Sequence, residues 1–180
     1  MINDKIIPAV KSVKDLEKFL RTDIEFCILM GMHISILRSL VERVHKAGKK
    51  CMLHIDLING ISRDEYGAEY AIQFIGVDGL VSTKTSVIRV AKKKGVVSIF
   101  RIFLIDTYSL DKSIDRTNEL KPDYVELLPA LAHNIISSIK ERISTEIIGG
   151  GLVQSKEDID KCFEYGMCAV TTSRTDLWKS

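Results

Sequence analysis

Eight short runs rich in β-branched and other apolar residues recur along this chain, and helix-like stretches separate them. Residues 6–10, 26–31, 51–57, 79–84, 97–106, 124–129, 146–151 and 169–173 read as strands. Residues 14–21, 34–47, 63–74, 86–94, 110–120, 131–142 and 156–165 read as helices. In "SILRSLVERVHKAG", Ile36, Leu37, Leu40, Val41 and Val44 fall three and four apart, and Gly48 stops the helix. Successive strand ends lie 21 to 27 residues apart, which is one strand plus one helix each time. An even βα period counted eight times predicts an α/β fold, a compact single-domain (β/α)8 TIM barrel. A doubly wound open sheet is the competing arrangement, but it calls for a long crossover that the spacing lacks. At 180 residues the chain is shorter than the usual barrel of roughly 200 or more. Its loops must be short and its last helix, begun at "RTDLWKS", truncated, with Trp178 covering what a full helix would cover. No linker interrupts residues 1–180, so one domain is expected.

Composition removes several classes. Hydrophobic residues make up 46% and charged residues 28%, which excludes a disordered chain. A net charge of +2 is too small to argue for nucleic acid by itself. Cys27, Cys51, Cys162 and Cys168 form no C-x-x-C pair and read as reduced, buried thiols. "MINDKIIPAV" has no signal-peptide character, and no run of eighteen apolar residues occurs, so a cytoplasmic protein without a membrane partner is expected.

The chemistry gathers near predicted strand ends, where barrels place their sites. "EIIGGGLVQSKEDI" ends the seventh strand on Gly149, Gly150 and Gly151, and the eighth ends on Thr171, Thr172 and Ser173. Glycines allow close approach to an anion, and free N–H groups at a helix start hold a phosphate; the competing reading is a tight turn with no ligand. In "CMLHIDLINGI" a period of two puts His54 and Asp56 on one face. Asp56 in an apolar strand needs a partner or a ligand, whereas His54 also reads as a core histidine. Lys84 ends the fourth strand within reach of a phosphate, or is simply solvated. Arg101 and Glu126 interrupt apolar strands that would be neighbours, so they pair with each other or face a ligand.

Several stretches together, "HIDLINGISRDEYGAEY", "GLVSTK", "FRIFLIDT", "KPDYVELLPA" and "AVTTSRTDLW", resemble the glycerol uptake operon antiterminator regulatory proteins of Gram-positive bacteria. The likeness covers essentially the whole chain in order. It implies a (β/α)8 barrel that takes glycerol 3-phosphate as effector, with no cofactor. It also implies action on leader mRNA of glycerol-utilisation operons, preventing premature termination. Carried over by position, the phosphate faces Gly150, Gly151, Thr172 and Ser173; Asp56 and Glu126 face the glycerol hydroxyls, and Lys84 the phosphate or a hydroxyl. Two positions depart from the family pattern: "GGGLV" stands for "AGGLI", and Ala130 follows the strand-six proline where glycine is expected.

An enzyme acting on a small phosphate ester is the alternative, of glycerol phosphate prenyl transferase or sugar-phosphate epimerase type. A metal site would need a second histidine near His54 and Asp56. Of the remaining histidines, His45 and His133 fall in helices and only His33 follows a strand end, so no metal site is expected, and no catalytic residue is expected either. A Schiff-base aldolase needs a desolvated lysine, for which Lys84 is the candidate. For RNA, Lys92, Lys93 and Lys94 with Lys140 and Arg142 cluster at helix C-termini on the bottom rim, near Lys46, Lys49 and Lys50. They are RNA-binding candidates or a solvated rim, with contact spread across a homo-oligomer as one arrangement. "RDEYGAEY", flanked by Gly60 and containing Gly67, is the candidate moving element.

Overall fold

The computed structural model describes residues 2–178. Eight parallel strands close into a barrel in chain order. They are β1 (Ile6–Val10), β2 (Phe26–Leu29), β3 (Lys50–His54), β4 (Gly79–Ser82), β5 (Val97–Phe103), β6 (Tyr124–Leu128), β7 (Glu146–Gly149) and β8 (Ala169–Thr172). Between them run α1 (Val13–Phe19), α2 (Ile34–Lys46), α3 (Glu65–Tyr70), α4 (Thr85–Lys94), α5 (Thr107–Leu120), α6 (His133–Arg142) and α7 (Lys156–Glu164). The chain closes on itself where Ile6, Ile7 and Pro8 pair with Val170, Thr171 and Thr172. A 3-10 turn over Thr175–Leu177 stands where an eighth helix would lie.

Every second strand residue points inward. Ile7, Ile28, Met52, Ile99 and Ile148 belong to an apolar plug that fills the barrel. The outward residues and the helices form two further clusters, one around β1–β4 and one around β5–β8. Trp178 joins the first of these, fully buried, and its Nε1–H donates to the Thr172 carbonyl at 2.9 Å. The wall that lacks a helix is therefore covered by one indole, as the sequence predicts.

The N-terminal ends of the strands are latched by aspartates. Asp4 accepts the Glu25 and Phe26 N–H groups, Asp78 that of Cys51, and Asp123 that of Ser98. This is a stability face, and it leaves the C-terminal mouth for chemistry. Among the described residues no helix is long and apolar enough to cross a membrane.

The strands stop earlier than their apolar runs. β3 ends at His54, and Ile55–Leu57 is a 3-10 turn, so Asp56 does not share a strand face with His54. β2 ends at Leu29, β4 at Ser82, and β5 at Phe103, after which Asp106 caps α5 by accepting the Ser109 N–H. The third helix passes into a π-helical turn over Ala71–Ile75.

Candidate functional site at the barrel mouth

Above the apolar plug the strand alternation raises a polar layer. Arg101 and Glu126 are register partners on β5 and β6, and Arg101 Nε donates to Glu126 Oε2 at 2.6 Å. Glu126 has no exposure, and Thr171 Oγ1 on β8 donates to its other oxygen at 2.6 Å. The carboxylate is thus held from both sides, which a buried charge requires. Of the two readings that these charges allow in sequence, a mutual pair or a ligand contact, the mutual pair is present.

Gly150 makes room for this arrangement. A Cβ there would lie 2.6 Å from Glu126 Oε1 and 2.8 Å from Thr171 Oγ1. Gly149 is packed as tightly, with a Cβ position 2.5 Å from Met167 Sδ. Gly151 has φ +72°, the left-handed conformation that glycine adopts freely.

Beside this layer opens a cleft of about 160 Å3 at the ends of β1, β7 and β8. Arg101 lines it with Lys11, Gly151, Leu152, Thr172 and Ser173. Lys11 Nζ donates to Ser173 Oγ at 2.9 Å across the β1–β8 seam. The N–H groups of Gly151, Leu152, Val153 and Ser173 find no acceptor among the described residues. Those of Gln154 and Ser155 are taken by Asp158 Oδ2, the acidic member of the α7 capping box. Four open amides and one ammonium on a concave wall are donors of the kind that a phosphate dianion would accept from.

The expected residues divide on inspection. Gly151, Thr172, Ser173 and Arg101 line the cleft, and Glu126 lies behind Arg101. The Gly150 N–H instead donates to the Leu127 carbonyl at 2.9 Å, so it is not a phosphate donor. The Gly150 carbonyl accepts from Ala130 N at 2.7 Å, joining the loops after β6 and β7. Asp56 does not face the cleft. It accepts from Ser82 Oγ at 2.6 Å and from Thr83 N and Oγ1 at 2.7 and 2.9 Å, which ties the turn after β3 to the end of β4. Lys84 is exposed at the N-cap of α4 and away from the cleft lining. Lys11 and the amides of Leu152 and Val153 escape sequence reasoning. The one available signal is that Lys11 follows β1 directly, at the mouth.

His54 lies in the polar layer with 2% exposure, and neither of its ring nitrogens has a hydrogen-bond partner. Burial, reinforced by Arg101 and opposed by Asp56, lowers its pKa from 6.5 to about 4. The imidazole is therefore neutral at ordinary pH.

The enzyme alternatives find little support among these residues. His54 and Asp56 join no metal-ligating group among the described residues; one such group, His45, Cys51 and Asp78, lies at the barrel bottom. There His45 Nε2 and the Cys51 N–H already engage Asp78 Oδ2. Among the described residues the one lysine within a strand is Lys50, exposed at the start of β3 and paired with Glu25. Burial pushes the Cys162 and Cys168 thiols up to about 11 and about 12, which leaves them poor nucleophiles. A larger cavity, about 640 Å3, lies beside α7 and the last 3-10 turn. It is on the flank of the barrel, away from the strand C-termini.

On the bottom rim, four of the five RNA candidates hold the protein together. Lys92 donates to the Lys121 carbonyl, Lys94 pairs with Glu69 at 3.6 Å, Lys140 donates to the Gly166 carbonyl, and Arg142 pairs with Asp111 at 2.8 Å. Lys93 has no partner among the described residues. Gly67 is closely packed, since a Cβ there would lie 1.9 Å from the Ser62 carbonyl oxygen.

Comparison with known proteins agrees with the fold and extends it. Residues 6–178 match the model of the family described as glycerol-3-phosphate responsive antiterminator. The crystal structure of the glycerol uptake operon antiterminator regulatory protein of Listeria monocytogenes str. 4b F2365 superposes with a TM-score of 0.93. It is 34% identical, with 98% of this chain and 95% of that one covered. A glycerol uptake operon antiterminator-related protein of Thermotoga maritima gives a TM-score of 0.85 at 25% identity, covering 98% and 99% of the two chains. Uncharacterized protein YgcP of Escherichia coli (strain K12) is 30% identical over 96% of this chain and 91% of its own length. With its family model spanning nearly the whole barrel, the chain belongs to the glycerol-3-phosphate responsive antiterminator family.

Proposed function

We propose that this chain binds glycerol 3-phosphate at the mouth and, once loaded, acts on the leader mRNA of glycerol-utilisation operons to prevent premature termination. The observation that carries the reading is the set of open amides at Gly151, Leu152, Val153 and Ser173, with Lys11 beside them and the Arg101–Glu126 pair below. The phosphate accepts from those amides and from Lys11; each charge-assisted bond contributes roughly 1.5–3 kcal/mol. The glycerol hydroxyls then meet the polar layer, where Arg101 donates and Glu126 accepts.

The loops after β1, β7 and β8 all touch one small dianion in this arrangement. A ligand that bridges them stabilises the conformation in which they lie together, and its differential affinity for that conformation is the signal. No catalytic step is part of the reading.

A gel shift with a glycerol-operon leader RNA, run with and without glycerol 3-phosphate, tests it. Binding should require the ligand and weaken steeply with salt. Ligand-independent or salt-insensitive association would overturn the proposal, as would calorimetry showing no preference for glycerol 3-phosphate over glycerol.

A further inference from the structure

His54 is the side chain that the phosphate cleft leaves unexplained. Its Nδ1 and Nε2 are the buried side-chain nitrogens or oxygens left without a partner among the described residues. Buried polar groups are paired in the great majority of cases, so two open nitrogens on one imidazole point to a group from outside the chain.

The layer in which His54 lies follows from strand alternation. Met52, Ile99 and Tyr124 belong to the plug, and His54, Arg101 and Glu126 are two residues further along the same strands. Arg101 lines the cleft and is also close enough to His54 to act on its charge. A ligand anchored by its phosphate at Ser173 and Lys11 therefore extends past Arg101 toward the imidazole.

Charge narrows the chemistry of that end. Arg101 is already balanced by Glu126, and Asp56 by its three donors from Ser82 and Thr83. Arg63 is the other charge acting on the imidazole. A neutral imidazole offers one donor and one acceptor, which is what an alcohol complements. A carboxylate brings acceptors alone and would sit against Glu126.

Resting on the glycerol 3-phosphate reading above, we propose that His54 binds a hydroxyl at the ligand's polyol end. It thereby selects a phosphomonoester of a short neutral polyol over inorganic phosphate and over a phosphorylated acid of the same length. His54 is buried and does not line the cleft, so entry of the hydroxyl requires the mouth to open further toward the imidazole. The segment after β3 is tied to residues 31–34, where Gly31 N donates to Leu57 O, Asn59 N to Met32 O and Ile34 N to Asn59 O.

Calorimetry on the full chain tests this, with glycerol 3-phosphate, 3-phosphoglycerate and inorganic phosphate titrated into wild type and His54→Phe. Wild type should bind glycerol 3-phosphate at least about tenfold more tightly than the other two. H54F should keep its inorganic phosphate affinity within about twofold and lose about tenfold for glycerol 3-phosphate. An H54F chain that binds glycerol 3-phosphate as wild type does overturns the role of His54 while leaving the glycerol 3-phosphate reading intact. Wild type that does not distinguish glycerol 3-phosphate from phosphate overturns both. Retained phosphate binding reports that a variant is folded, and His54→Leu, judged by the same two outcomes, replaces H54F if that chain does not fold.

Discussion

Gly150 illustrates how a residue can be placed in the right region for a different reason. Three glycines in a row suggest a cradle of amides, yet the Gly150 N–H is bonded inside the chain, and its missing side chain makes room for Glu126 and Thr171. Replacing Gly150 with alanine should cost about 1–3 kcal/mol, read by urea unfolding, because the added carbon pushes on a buried carboxylate. Unchanged stability would mean that the carboxylate is not held there. Arg101 and Glu126 are legible in sequence, since a charge inside an apolar strand must find its opposite on a neighbour. Lys11 is not legible, because barrel closure brings it to Ser173 from 162 residues away. His54 supplies the prediction on pH. The unfolded chain takes up this proton near pH 6.5 and the folded chain only near 4, so between those values the unfolded state holds more protons. Stability therefore falls as pH falls through that window, by about 3 kcal/mol for this group, and is unaffected by it above pH 6.5. Unfolding at pH 7 and pH 4 should show wild type losing that much more than H54F, and equal losses would exclude His54 as the titrating group.

Among the elements, the loop between β7 and α7 carries most of the cleft's open amides. Its amides at residues 151–153 are open, and the α7 capping box engages the next two donors. Ser155→Ala should cost about 1 kcal/mol of stability and loosen the same loop, lowering phosphate affinity in calorimetry. Leu152 sits in that loop with φ +58° and 72% exposure. A left-handed conformation costs a residue with a Cβ roughly 1–2 kcal/mol, so Leu152→Gly should leave the unfolding free energy unchanged or raise it. A loss would show that the exposed side chain has a contact to keep. The existence of each strand and helix is readable from periodicity, but the strand ends are not. Ile55–Leu57 continues the apolar run of β3, and the three bonds that fasten Asp56 to Ser82 and Thr83 help to hold the turn there. Loop chemistry of that kind depends on neighbours that a linear pattern does not contain.

The whole molecule divides its two ends by purpose. Aspartate latches and engaged lysines secure the bottom, while the open donors lie at the mouth. A basic count on the rim thus overstates the charge free for RNA, because Lys92, Lys94, Lys140 and Arg142 already bind neighbouring elements. Between the ends, the wall at β8 depends on Trp178, which replaces a helix and holds the carbonyl of Thr172, a cleft residue. Truncation to alanine should cost about 3–5 kcal/mol through the cavity it opens. Trp178→Phe keeps much of the volume but removes the N–H, so it isolates the bond that positions the strand end. That variant should lose about 1–3 kcal/mol and bind glycerol 3-phosphate more weakly, since Ser173 and Lys11 meet at the same strand end. A W178F chain with reduced stability and undiminished ligand affinity would separate the wall from the site and show that the truncated barrel needs the indole for closure alone.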